Sequence, residues 1–94
     1  MLSPIGLVAL DLTGDVVGRI EATLPLTAAD DPEFALVRLA RGALAETRMV
    51  PLGGSVRFAE CVQFAFTLRE IERAPAPEEA DWGVGLEELA RAYW

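Results

Sequence analysis

VPLGGSVRFAECVQFAFTLREIERAP, residues 50–75, decides the fold, because strand-like alternation in it runs straight into a helix start. Val56, Phe58, Val62, Phe64 and Phe66 share one parity. Side chains two apart on a strand project from the same face, so these five are expected to line one core surface. Glu60 interrupts the series. A charge at a core position marks a turn or bulge at Ala59-Glu60-Cys61, which splits the run into two short antiparallel strands. Thr67 then stands three residues before Glu70, the reciprocal spacing that satisfies orphan amides at a helix start. A helix of barely two turns is expected to follow, stopped by Pro75 and Pro77.

Upstream of this stretch the chain reads as further short strands. Residues 48–52 form one, reversed by Gly53-Gly54, and the polar, small residues 41–47 (RGALAET) form the loop before it. In residues 34–40 both parities are apolar: Phe34 and Leu36 on one face, Ala35, Val37 and Leu39 on the other. One of those faces needs cover beyond a minimal barrel. Residues 28–33 (AADDPE) read as a solvated turn, since their carboxylates can bond nearby amides and the calcium-loop spacing is absent. Residues 19–26 alternate cleanly, with Ile20, Ala22, Leu24 and Leu26 expected inward and Arg19, Glu21 and Thr23 outward. Pro25 lacks the amide a central ladder needs, so that strand's end lies at an edge or leaves the sheet there. Thr13-Gly14-Asp15 is a turn, and the aliphatic run 5–12 suits a strand buried on both sides or one that also supplies a partner's surface.

Downstream of Pro77 the composition changes to acidic, with Glu78, Glu79 and Asp81, the last a good N-cap residue. Gly83 and Gly85 weaken the start of whatever follows. Leu86, Leu89, Ala90 and Tyr93 fall at helical spacing, and Glu87 stands four before Arg91. Trp82 and Trp94 flank the segment. So short a helix does not hold in water unaided, so the tail is expected to fold against a surface, either its own sheet or a second copy.

The stretch resembles the PRC-barrel family, the small β-barrel shared by the cytoplasmic part of the photosynthetic reaction-centre H subunit and the C-terminal domain of a ribosome maturation factor. The resemblance rests on Val50-Pro51-Leu52, two short strands, and Phe66-Thr67 running through a Glu-rich turn to Ala74-Pro75. Upstream, residues 14–20 (GDVVGRI) look like the family's opening strand. About residues 7–77 are covered. The resemblance implies a binding or assembly module.

Ninety-four residues enclose a single core. A composition 52% hydrophobic and 24% charged belongs to a globular chain, not a disordered one. Fifteen acids against eight arginines give −7, which disfavours nucleic acid and anionic lipid as partners. The arginines are spread from Arg19 to Arg91 rather than gathered. One cysteine, Cys61, makes no internal disulfide and suits a reducing cytoplasm. The apolar N-terminus lacks a basic lead and is closed by Asp11 and Asp15 too early to span a bilayer.

Histidine is absent, which removes the usual general base, the commonest metal ligand and every nucleophile–histidine pair. No dinucleotide fingerprint, phosphate loop or cysteine cluster occurs. The expectation is a protein that is not an enzyme and holds no metal or organic cofactor. The architecture expected is a six-stranded all-β barrel over residues 1–77, with a short helical turn after the last strand. Residues 78–94 add an acidic linker and an amphipathic helix packing on the barrel or on a second subunit. The function expected is protein–protein interaction, including homodimerisation, with an unidentified protein partner and no membrane span. Candidate interface residues are Phe34, Leu36, Trp82, Leu86, Leu89, Tyr93 and Trp94. The rival readings are a ribosome or RNA-processing accessory factor, which the charge opposes, and a barrel holding a small apolar ligand, which a side-chain-filled interior opposes.

Overall fold

The computed structural model describes residues 4–24, 32–40, 46–76 and 85–94, and over them the chain forms one mixed β-sheet and two short helices. The strands are β1 (Val8–Leu10), β2 (Val16–Leu24), β3 (Phe34–Leu39), β4 (Thr47–Pro51), β5 (Val56–Arg57) and β6 (Cys61–Gln63). Helix α1 spans Leu68–Glu72 and α2 spans Leu86–Tyr93. The sheet order is β4-β3-β2-β1-β6-β5. Neighbours are antiparallel except β1 and β6, which run parallel with Ala9 opposite Val62.

β4 and β5 end this order on opposite sides, yet only residues 52–55 separate them in sequence. In a flat sheet they would lie about 24 Å apart, at about 4.8 Å per interval. The chain from Pro51 to Val56 reaches at most about 18 Å fully extended, and the turn at Gly53-Gly54, where Gly54 has φ +78°, shortens that. The sheet is therefore strongly curled. Two bulges on β2 assist the bend, because an extra residue in one strand tightens local twist. Val17 is the surplus residue opposite β1 and Glu21 the surplus residue opposite β3.

The expected closed barrel is not formed: among the described residues no ladder joins β4 to β5. The edge of β4 that closure would use is already occupied. The Met49 amide donates to the Pro75 carbonyl at 2.9 Å, and the Met49 carbonyl accepts from the Trp94 indole N–H at 2.8 Å. Arg48 Nε donates to the Glu72 carbonyl beside them at 3.1 Å. β5, only two residues long and exposed, offers little to pair with in any case.

The core lies inside the curl, where Val17, Ile20, Val37, Val50, Val62 and Phe64 meet, with Ile71 of α1 closing over them. The Thr67–Glu70 capping box is present, the Thr67 hydroxyl accepting from the Glu70 amide at 3.2 Å and the Glu70 carboxylate from the Thr67 amide at 3.0 Å. The helix ends at Glu72, before Pro75 could stop it, its last turn finished by the Arg73 amide. The hairpin expected at Ala59-Glu60-Cys61 is also present, the Phe58 amide donating to the Cys61 carbonyl at 2.8 Å.

Three expectations from alternation are corrected. Val56 and Phe58 do not join Val62 and Phe64 in the core; both are about half exposed. Val56 stands opposite Gln63 and Arg57 opposite Val62, so across this hairpin residues of opposite parity share a face. On β2 the Glu21 bulge shifts the phase. Thr23 turns inward beside Ala35, and Leu24 turns outward beside Phe34. The first strand begins at Val8 rather than residue 5, since Ile5-Gly6 forms a turn with Gly6 at φ +90°. Leu26, Pro25 and the loops around them lie outside the described residues.

Candidate interaction surface

The surplus apolar face of β3 has found its cover within the chain. Leu24, Phe34 and Met49 form a second cluster with Ala90 of α2, and Leu36, Leu86, Leu89 and Trp94 pack against it. Phe34, Leu36, Leu86, Leu89 and Trp94 are thus brought together, as a covered site rather than an open one. Tyr93 is not on the apolar stripe that its spacing suggests: it is 50% exposed, its ring edge-on to Trp94 at 5.2 Å between centroids. Trp94 replaces it, tilted against Phe66 at 4.5 Å and bonded to Met49. Trp82 lies outside the described residues. The α2 N-cap is Gly85, with no side-chain bond, and not Asp81, which is outside the described residues too. Arg91 reaches across to Glu33, ahead of β3, at 2.6 Å; the Glu87 side chain is outside what is described. That bond to Arg91 outweighs a desolvation that alone would raise it, and holds the Glu33 carboxyl below its ordinary range.

Ladder register extends this outer face across the whole sheet, because directly paired residues project on one side. Next to the α2-covered corner comes a polar belt. Thr47 stands opposite Arg38, Arg38 opposite Arg19, and the bulged Glu21 accepts from both Arg38, at 3.2 Å, and Thr47, at 3.1 Å. Arg19 also donates to the Gly6 carbonyl at 3.1 Å. Exposed pairs of this kind contribute little stability.

Beyond the belt the outer face becomes apolar again. One row runs Val16, Leu10, Gln63, Val56, and its neighbour runs Val8, Cys61, Phe58. Val16 is 58% exposed, Val56 54% and Phe58 48%, with Leu12 exposed at one end. Among the described residues neither helix covers this half. No position in either row carries a charge. The alternation around Val56 and Phe58 signalled this surface, but only once the two-residue turn is allowed to swap the faces.

At its margin Asp11 is 5% exposed and organises the turn into β2. Its Oδ1 accepts from the Thr13 hydroxyl at 2.7 Å and from the Thr13 and Asp15 amides at 2.9 and 3.0 Å. Burial pushes this carboxyl up, but those bonds together with the Gly14 amide outweigh it and bring it below 3.8. The group is a turn organiser whose Oδ1 is spent locally. Among the described residues no three His, Cys, Asp or Glu side chains gather as a metal site would require. No helix among them is long and apolar enough to cross a membrane. No protein-family model matches the chain, and comparison with curated proteins returns no match.

Proposed function

We propose that this domain is a non-enzymatic interaction and assembly module of the PRC-barrel type, acting through contact with protein chains. The observation that carries this reading is the bare apolar half of the outer face, from Val16 through Leu10 to Val56 and Phe58. A contiguous exposed apolar patch on a small domain is often a binding site. A curled sheet of short strands followed by a capped helical turn supports the family likeness. Asp11, Glu21, Glu33 and Glu70 are occupied in a turn, surface pairs and a cap, which supports a binding role for them over catalysis.

The chain has no lysine, so a photoreactive amino acid at position 56 is the suitable crosslinking handle. Placed there in the source cell, it is expected to give one recurrent protein adduct, to another chain or to a second copy. The same group at Tyr93, beyond the α2 cover, is the control. Absence of any adduct from position 56 above that control sinks the reading.

A further inference from the structure

We propose that the face beneath α2 is a helix-receiving groove, that α2 is its resident occupant held in cis, and that an amphipathic helix of a partner chain bearing the same pattern displaces it. The groove lies on the β3–β4 side of the outer face, across the polar belt from the bare half, and does not depend on that half. Two sets of observations support this: α2 is separable from the sheet, and its contacts specify what can replace it.

Leu24, Phe34, Met49 and Ala90 form a cluster of their own, apart from the core inside the curl that Ile71 of α1 closes, and Trp94 is the α2-end side chain that touches both. Leu86, Leu89 and Trp94 are half-buried, as at a contact between two bodies, whereas Ile71 is fully enclosed. Release of α2 breaks no rung of the sheet. The Met49 amide keeps its bond to Pro75, and the Met49 carbonyl, freed of the Trp94 indole, lies at an edge that water reaches. Glu33 and Arg91 are both exposed, so each returns to solvent when they part. A helix of eight residues begun by Gly85, with no side-chain cap, does not hold in water by itself. Its seating is thus a small balance between burial and ordering, with an undocked minor form at about 1% of molecules.

Helices laid in grooves are read through anchors at helical spacing, and here the anchors are explicit. Leu86, Leu89 and Trp94 stand at i, i+3 and i+8. Ala90, at i+4, has no exposed surface, so the groove admits only a small side chain there. Arg91, at i+5, meets Glu33 at 2.6 Å, which asks for a cation. The Trp94 indole meets the Met49 carbonyl at 2.8 Å, which asks for an N–H donor at the helix end. A helix that is acidic at i+5 would face Glu33 with like charge, and one that is bulky at i+4 would be lifted off the sheet, so both are rejected. The partner is therefore an amphipathic helix with apolar anchors, a small residue between them and a basic residue beside it.

An acetylated peptide with the sequence of residues 85–94 is the probe, titrated into the isotope-labelled full chain and followed by amide chemical shifts. Against the parent chain it competes with α2 at an effective concentration of about 1 mM, so an apparent Kd of about 1 mM is expected. Ala90→Glu in the chain puts a charge at the enclosed position and undocks α2, and the unchanged peptide should then bind at least about tenfold tighter. The shifts should fall on the Phe34, Leu36 and Met49 amides. A peptide carrying Ala90→Glu should produce none of them. As a milder second variant, Arg91→Glu in the chain sets like charge against Glu33 without touching the enclosed face, and should tighten the peptide about threefold. Loss of the β2–β3–β4 amide dispersion in the Ala90→Glu chain would make α2 part of the core and overturn the proposal. Equal affinity for the parent and Ala90→Glu chains, no binding to the latter, or shifts at Val16 and Val56 instead would overturn it as well. None of these results bears on crosslinking from position 56, so this groove and the module reading fail separately.

Discussion

Trp94→Phe removes one hydrogen-bond donor and little else, and so measures whether α2 is seated on the sheet. The indole N–H reaches the Met49 carbonyl at 2.8 Å, and Met49 is fully buried. Phenylalanine keeps a ring near Phe66 but leaves that carbonyl without its partner. An unsatisfied buried acceptor costs about 1–3 kcal/mol; α2 can shift and water can enter at this sheet edge, so the lower half of that range applies. Trp94→Ala adds the loss of packing against both clusters. Full truncation of a buried Trp costs about 3–5 kcal/mol, and Trp94 is only half buried, so about 2–4 kcal/mol is expected. A domain this size has about 5–14 kcal/mol in all. Tyr93→Ala, at an exposed neighbour, should cost under about 0.5 kcal/mol. Urea unfolding followed by circular dichroism reads all three without relying on the fluorophore being replaced. Equal midpoints for Trp94→Ala and Tyr93→Ala would mean that α2 does not cover the Phe34 face in solution.

Phe64→Ala should lower stability by about 3–5 kcal/mol, whereas Gln63→Ala loses only an exposed bond to the Leu12 carbonyl and should cost about 1 kcal/mol or less; equal shifts in urea midpoint would place β6 in the wrong phase. Gly18→Ala should destabilise by about 3 kcal/mol or more, because a Cβ there would meet the Arg38 carbonyl oxygen at 1.9 Å, and a thermal midpoint unchanged from the parent refutes that close approach. Asp11→Ala should cost about 1 kcal/mol, since the amides it frees can turn to water, and Asp11→Asn less, because the amide oxygen can take the place of Oδ1. Since the Asp11 carboxyl lies lower in the folded chain, the unfolded chain binds the extra proton. Its contribution is complete above 3.8 and fades as pH falls through the lower native value, so Asp11→Asn should flatten the acid limb of a stability–pH curve measured below about pH 4.

Local chemistry was legible wherever it acts over a few residues. The Thr67–Glu70 box, the Gly53-Gly54 reversal, the turn at Glu60 and the double-sided β3 all follow from neighbours in sequence. What alternation could not supply was phase across an irregularity. Glu21 in β2 and the two-residue turn at Ala59-Glu60 each exchange the two faces, so simple alternation puts Leu24, Thr23, Val56 and Phe58 on the wrong sides. Apolar residues sit on both faces of this sheet, so composition gave no warning of the swap. Closure was illegible for another reason. It depends on who occupies the outer edge of β4, and Pro75 and Trp94 reach that edge from 26 and 45 positions away in the chain. Of the candidate interface residues, the apolar ones on β3 and α2 pack on one another within the chain. The bare surface lies on β5 and β6, where alternation expects core, and on β1, for which a partner's surface is one of two expectations.

The parallel pairing of β1 with β6 sets the order in which the molecule can assemble. Val8 meets Cys61 and Ala9 meets Val62, a separation of about fifty residues, whereas β2, β3 and β4 form a meander of successive neighbours. Closing so long a loop costs chain entropy before any ladder bond repays it. The meander can therefore form early and wait, while β1 keeps one unpaired edge until β6 arrives. On the ribosome that wait lasts until residues beyond Gln63 have left the exit tunnel, and during it the buried centre of the finished sheet is an exposed strand. Refolding should accordingly be slow for a chain of this length, with β2–β3–β4 amides protected from hydrogen exchange before those of β6 and the Val8 amide that faces it.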